Sequence, residues 1–372
     1  MKIGIITNVI DEGYSSYSVY VSNVIKQINM LDKKNEFVLI HHSNTDHEIY
    51  TSNDEILIPL PHFKFLKNNF WRYHNLKKYL QSSPFDIIHD PTGPGALTFP
   101  MPFKKIITVY DLSSLLFPTY NVGGMISWRL LGKKTIKNVD KIIAISNSTK
   151  RDIIHFFGCP EEKIQTIYLG KDEIFFPIHE SEKEKFKERY NLNFPYILYV
   201  GVLQPRKNIP NLIKAFNIFK KMGMPHKLVI AGGKGWQFTD IFKTVQELHL
   251  QNEVIFTGFI PYEDLPGLYN AAELFVFPSI YEGFGIPALE AMACGIPVIT
   301  SNSSSLPEIV GETGVMVDPY NLEQLAHSMK EVLTDESYKK EIIKNGLQRA
   351  NLFSWKRCAE ETLDVYHEIG VD

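Results

Sequence analysis

The chain reads as an α/β protein built from two doubly wound, parallel-sheet, Rossmann-like domains. Three observations predict this. Short apolar runs alternate with amphipathic stretches through the first half, the mark of parallel βαβ units. A charged stretch, Glu180-Ser181-Glu182-Lys183-Glu184-Lys185, then interrupts the rhythm. The alternation restarts at Tyr196 and runs nearly to the end of a 372-residue chain, a length that suits two domains.

In the first half, Lys2–Thr7, Glu36–His42, Asp86–His89, Lys105–Val109 and Lys141–Ser146 are rich in β-branched residues and are predicted strands. Ser18–Leu31, Phe70–Leu80, Ile126–Lys137 and Ser148–Phe157 are the helices between them. In the second half the predicted strands are Tyr196–Val202, Lys227–Ala231, Val254–Gly258, Leu274–Pro278 and Pro297–Thr300. The helices there are Ile209–Met222, Tyr262–Asn270, Pro287–Ala293, Leu322–Leu333 and Tyr338–Ala350. The expected domains are residues 1–172 and 173–354. Trp355–Ile369 is a further helix that can cross back onto the first domain. Ligands in such sheets bind at the carboxyl ends of strands. The motifs below all follow strands, so a cleft between facing domains is expected.

Composition excludes several classes. With 39 basic and 42 acidic side chains the net charge is -3, which gives no electrostatic case for nucleic acid as a partner. Cys159, Cys294 and Cys358 match neither a disulfide framework nor a zinc pattern, and fit a reducing cytoplasm. The opening MKIGIITNVIDEG lacks the features of a signal peptide, and no segment approaches the roughly 20 apolar residues a bilayer span requires. A cytoplasmic protein is expected, at most peripheral at the inner face of the membrane. The candidate for such contact is the acid-free stretch 61–85, where Lys64, Lys67, Arg72, Lys77 and Lys78 alternate with aromatic residues. The same pattern also suits a helix with a buried aromatic face.

The most informative segment is Tyr281-Glu282-Gly283-Phe284-Gly285-Ile286-Pro287-Ala288-Leu289-Glu290. A buried strand, a glycine turn and a helix start together form an anion site, because the first turn offers unpaired N–H groups and a partial positive charge. Two carboxylates beside such a site would repel a phosphate, so they are better suited to holding hydroxyl groups near one. The segment Gly201-Val202-Leu203-Gln204-Pro205-Arg206-Lys207-Asn208 follows another strand and supplies two cations suited to phosphate oxygens.

These two segments, GVLQPRKN and PSIYEGFGIPALEAMACGIPVITSNSSSLPEIVG, resemble the retaining glycosyltransferases of family 4, which have the GT-B fold and an E-x7-E motif. The resemblance covers most of the chain and is strongest from Tyr196 to Pro319. It implies transfer of a hexosyl group from a nucleotide diphosphate sugar to a hydroxyl of a glycan or lipid-linked acceptor, with retention of configuration. Glu282 matches the glutamate that holds donor-sugar hydroxyls, and Glu290 the one that binds the ribose. Arg206 and Lys207 match the cations that neutralise the diphosphate. Backbone amides around Gly283, Phe284, Gly285 and Ile286 complete the cradle, and the loop at Gly258 and Phe259 faces the base. Pro307-Glu308 matches a recurrent family element.

The first domain departs from the family pattern. One glycine, Gly13, stands where a pair is common. Tyr110-Asp111 replaces a frequent His-Asp; a tyrosine donates a hydrogen bond but does not titrate near neutral pH. Tyr110 is retained as a catalytic candidate, with His89 and Asp111 as acceptor-side candidates. The sequence has no Asp-x-Asp motif, and the cation pair suits a metal-independent reaction with no cofactor. With its PRKN loop the chain resembles mannosyl-type transferases, which implies a donor such as GDP-mannose rather than a UDP-sugar. A nucleotide-sugar epimerase, or a non-catalytic two-domain binding protein, is the alternative of similar architecture.

Overall fold

The computed structural model describes residues 1–13, 15–61, 71–93, 95–117 and 122–370. The chain divides into two compact units, residues 1–170 with 355–372, and residues 171–354. Each is organised around an all-parallel sheet.

In the first unit the strands are β1 (Lys2–Ile6), β2 (Glu36–His41), β3 (Asp54–Leu57), β4 (Ile87–Asp90), β5 (Lys104–Val109), β6 (Lys141–Ala144) and β7 (Ile164–Thr166), in the order β3-β2-β1-β4-β5-β6-β7. The second unit has β8 (Tyr196–Val200), β9 (Lys227–Ala231), β10 (Val254–Gly258), β11 (Leu274–Phe277), β12 (Val298–Ser301) and β13 (Val315–Val317), in the order β10-β9-β8-β11-β12-β13. Helices cover the central strands, which explains their near-continuous apolar runs: Ile3, Ile106, Ile142, Leu198, Val229 and Phe275 are fully enclosed. In each sheet the chain starts at a central strand, builds outward one way, then returns to the other side. The reversal lies between β1 and β4 and between β8 and β11, the places where α/β sheets bind ligands.

Several elements differ from the sequence reading. The charged stretch from Glu180 is a helix, Glu180–Arg189, not a break. Only Phe186 on it is buried, so its pattern is almost wholly polar. The strands β3, β7 and β13 are additions to the predicted set, all short outer strands; β3 has two acidic side chains and a mostly exposed face. The helix Thr239–Glu247 is a further addition to the predicted elements. Within 61–85, residues 62–70, Lys64 and Lys67 among them, lie outside the described residues, which resume at Trp71. What is described there begins with a π-helical turn, Trp71–Asn75, leading into Leu76–Leu80. Trp71 is fully enclosed, donating its indole N–H to the Ile58 carbonyl at 2.5 Å. That aromatic ring serves the core.

The last helix, Trp355–Gly370, packs on the helix Ser16–Leu31 of the first unit. Its anchor is Tyr366, whose hydroxyl meets His89 Nδ1 at 2.7 Å, while His89 Nε2 meets Thr108 Oγ1 at 2.8 Å. Burial pushes the imidazole pKa down to about 3, so His89 stays neutral, with one nitrogen donating and the other accepting. Tyr366→Phe leaves one buried ring nitrogen without its partner. Urea unfolding at neutral pH is expected to show a loss of about 1–3 kcal/mol, and an unchanged midpoint would contradict this role.

Candidate functional site

The loops that leave β8 and β11 meet at the switch point of the second sheet. After β8, a single 3-10 turn, Pro205–Lys207, carries both cations. Asn208 ends it in a left-handed conformation (φ 62°) and fastens it, donating its side-chain amide to the Pro278 carbonyl at 3.1 Å and the Pro319 carbonyl at 2.6 Å. A main-chain bond from Ile280 N to the Arg206 carbonyl, 2.8 Å, ties the two loops together.

Their side chains converge. Arg206 Nη1 lies 2.9 Å from Glu282 Oε2 and also donates to the Tyr281 carbonyl at 2.9 Å. Lys207 Nζ lies 2.5 Å from Glu282 Oε1 and 4.9 Å from the centre of the Phe277 ring. All three side chains are nearly enclosed, at 13%, 9% and 8% exposed for Arg206, Lys207 and Glu282. Burial alone would raise the Glu282 pKa, but Lys207 and then Arg206 outweigh it, so the carboxyl stays ionised below its usual range. The trio carries one net positive charge, a fit for an anionic ligand.

The glutamate turn is held from behind by serines that sequence reasoning missed. Ser304 Oγ accepts from Glu282 N at 2.8 Å. Ser305 shares its hydroxyl proton between the Glu282 and Phe284 carbonyls, at 3.0 and 2.7 Å. The signal was present as the triple serine before Pro307-Glu308, and its meaning depends on β12 delivering it beside the turn. Pro307 and Glu308 open the short helix Leu306–Val310, and Arg349 Nη2 donates to the Glu308 carbonyl at 2.5 Å.

Gly285 makes the turn possible. Its φ is +117°, and a Cβ there would lie 2.7 Å from Leu306 Cδ2. It precedes the helix Ile286–Ala293, whose positive end therefore adjoins the glutamate turn. Phe284 is buried and meets Phe353 edge-on at 6.0 Å. Its ring is an anchor in the core of the second unit. Gly258 ends β10 at φ 72°, followed by Phe259, which is 72% exposed.

Glu290 is set apart from this trio. Its carboxyl is buried within the second unit and accepts the Tyr269 hydroxyl at 2.7 Å. Burial raises its pKa to about 8; the Tyr269 hydrogen bond opposes this and Asp172 adds to it. So of the two glutamates, Glu282 is charged at neutral pH and Glu290 largely neutral.

In the first unit, Tyr110 follows β5. Its ring meets Tyr17 and Tyr20 edge-on at 4.3 and 5.4 Å, and its enclosed hydroxyl has no hydrogen-bond partner among the described residues. Burial, then the neighbouring tyrosines, push its pKa well up, so it is a donor and not a base. Asp111 accepts from Ser113 N at 3.0 Å and from its hydroxyl at 2.7 Å, starting a helical turn. His89 does not face solvent as an acceptor-side group would. It is sealed beneath Tyr366, with both nitrogens occupied. Gly13, at φ 101°, has open space where a Cβ would stand. The preceding Asp11 is structural: its carboxylate takes His42 N at 2.9 Å, Ser43 N at 2.8 Å and the Tyr50 hydroxyl at 3.1 Å. The three cysteines are buried and unpaired.

Comparison with known proteins supplies the class. The model of Glycosyl transferases group 1 matches residues 180–349, and that of Glycosyltransferase Family 4 matches residues 22–173. The chain is a glycosyltransferase of the group 1 and family 4 kind, with the GT-B fold. It is 29% identical to the O-antigen chain mannosyltransferase B of Escherichia coli over 353 residues, 93% of this chain and 88% of that one. It is 31% identical to the serotype-specific mannosyltransferase WbdA of Escherichia coli over 273 residues; the match takes in 72% of this chain but only 34% of that longer protein. Among solved structures, the sucrose-phosphate synthase of Thermosynechococcus elongatus superposes with a TM-score of 0.81 at 22% identity over 99% of both chains. The Anabaena protein HepE, in complex with UDP and glucose, gives 0.78 at 20% over 99% of both. These two likenesses establish the fold. The transferase class displaces the epimerase and pure binding alternatives.

The charge states of the glutamates lead to a measurable asymmetry. A carboxyl whose folded pKa is raised gives its full stability below its unfolded value, about 4.5, and loses stability as pH rises through about 8. Glu290→Gln keeps the hydrogen bond from Tyr269 and cannot ionise. At pH 8 it is expected to be more stable than the parent by on the order of 2–4 kcal/mol, a gain that shrinks towards pH 5. Urea titrations at the two pH values check this, and a pH-independent difference would contradict it.

Proposed function

We propose that this glycosyltransferase moves a mannosyl group from GDP-mannose to a hydroxyl of a glycan or lipid-linked acceptor, with retention of anomeric configuration and without a metal ion. The observation that carries the donor assignment is the meeting of Arg206, Lys207 and Glu282 at the β8–β11 switch point. The mannosyl assignment is supported by the names of the two Escherichia coli relatives.

In this reading Arg206, Lys207 and the start of the helix Ile286–Ala293 hold the diphosphate. The bond between C1 and the bridging phosphate oxygen breaks, its electron pair staying on the phosphate. Negative charge on that oxygen is greatest in the transition state, so fixed cations stabilise the transition state more than the bound donor. The acceptor oxygen bonds to C1 on the same face and its proton passes to the departing phosphate, so no carboxylate is required as nucleophile. Glu282 holds donor-sugar hydroxyls, Glu290 faces the ribose, and Phe259 is offered to the base.

Glu282→Ala, Arg206→Ala and Lys207→Ala are each expected to lower turnover tenfold or more, a loss of about 1.4 kcal/mol of transition-state stabilisation. Melting temperatures taken alongside separate this from unfolding. Near-normal transfer by all three variants would overturn the site. A thermal-shift panel of GDP-, UDP- and ADP-sugars addresses the donor: a shift with GDP-mannose alone is expected, and no shift with any nucleotide sugar would overturn the reading.

A further inference from the structure

Glu282 is held in two independent ways. Arg206 and Lys207 hold its carboxylate, and two neighbouring serines hold its main chain. Ser304 Oγ receives the Glu282 N–H at 2.8 Å, and the Ser305 hydroxyl donates to the Glu282 carbonyl at 3.0 Å. The Cα of Glu282 is thus restrained from both sides, whatever its carboxylate binds. Ser305 is fully enclosed and also serves the Phe284 carbonyl at 2.7 Å, so it supports the turn as a whole. Ser304 is half-buried, and among the described residues its side chain has Glu282 as its partner and no other.

The backbone of Ser304 is strained. Its φ is 53°, in the left-handed region that favours glycine. Of the other non-glycine residues with positive φ, Asn191 and Asn208 are of the type that tolerates it, and Gln237 and His249 are exposed. A glycine at 304 would relieve the strain and lose only the oxygen that receives the Glu282 N–H. A serine kept there against its backbone preference points to a use for that oxygen. The ion trio shows what the use is. A phosphate oxygen that draws on Arg206 or Lys207, and a sugar hydroxyl that donates to Glu282, both compete with the bonds inside the trio. The ionic restraint on Glu282 is therefore weakest when the donor is bound, which is when its position matters.

We propose that Ser304 is a positioning residue of the transferase site, its hydroxyl oxygen holding the Glu282 backbone in place while the donor diphosphate draws on Arg206 and Lys207. The inference rests on the donor reading above. In the empty chain the ion trio and the serine restrain the same residue, so loss of the Ser304 oxygen costs little stability. With donor bound, the nearest remaining tie between the two loops is the main-chain bond from Ile280 N to the Arg206 carbonyl, two residues before Glu282. Without Ser304 the carboxylate then shifts, and the sugar that it holds shifts with it. Small displacements of a reacting carbon are costly to rate even when binding is preserved.

The test compares the full chain with Ser304→Gly, which removes both the oxygen and the strain, and Ser304→Ala, which removes the oxygen and keeps the strain. The melting temperature of empty Ser304→Gly is expected to stay close to the parent's, relief of strain offsetting the greater freedom of the unfolded chain, and that of Ser304→Ala to lie below it. Both variants should lower kcat for GDP release from GDP-mannose by roughly tenfold, with KM little changed. Hydrogen exchange of the peptide that holds Glu282, read by mass spectrometry, reports the restraint itself. GDP should leave that peptide protected in the parent and speed its exchange in Ser304→Gly. Normal turnover by Ser304→Gly overturns the proposal, as do kcat losses that follow the melting temperatures of the two variants. A Ser304→Gly chain that is unfolded or far less stable than the parent also overturns it, by making the serine purely structural. If GDP fails to raise the parent's melting temperature, the donor reading itself fails. If GDP stabilises the parent and Ser304→Gly behaves like it, this inference fails alone.

Discussion

Two cations and one carboxylate, nearly sealed from water, hold the second unit's loops in register. Arg206 and Lys207 come from the turn after β8, and Glu282 from the turn after β11. Taking Glu282 away leaves two cations buried without compensation, a cost of about 3–5 kcal/mol for a broken buried pair, whereas loss of either cation leaves the other still paired with Glu282. The geometry of the surrounding loops follows from keeping all three together. Asn208 closes the cation turn, Ser304 and Ser305 brace the glutamate turn, and Gly285 allows that turn to pass against Leu306 and enter a helix. The parallel sheet adds the location, since loops from its two central strands necessarily meet where strand order reverses.

The same physics separates the two glutamates. Both are buried, and burial alone favours the neutral acid in each. Glu282 faces two cations and remains charged. Glu290 faces a tyrosine hydroxyl and a distant carboxylate, and is neutral over most of the physiological range. One chemical group thus occupies two protonation states within one short motif. An ionised Glu282 only accepts hydrogen bonds, whereas a protonated Glu290 can also donate one. That difference suits a site which must orient several hydroxyl groups around a phosphate.

The sheets were legible because buried parallel strands must be apolar on both faces, so Tyr196–Val200, Lys227–Ala231 and Leu274–Phe277 stand out from any surrounding pattern. Outer strands such as Asp54–Leu57 carry no such signal, and the helix Glu180–Arg189 buries only Phe186. The site residues were legible as types at strand ends. Their pairing was not: nothing local in the sequence says that Arg206 and Lys207 both reach Glu282, or that Tyr269 takes Glu290. His89 shows the limit most clearly. A histidine at the end of a strand has the same local signature whether it serves a ligand or a core, and only Tyr366, brought in from the far end of the sequence, decides it.

The central claim is that the ion trio is the seat of the donor diphosphate. A crystal structure of the chain with a non-hydrolysable nucleotide diphosphate sugar tests it most directly. The account predicts diphosphate oxygens within hydrogen-bond distance of Arg206 and Lys207, with sugar hydroxyls on Glu282. A bound donor whose phosphates lie elsewhere, with no phosphate oxygen near Arg206 or Lys207, would contradict it.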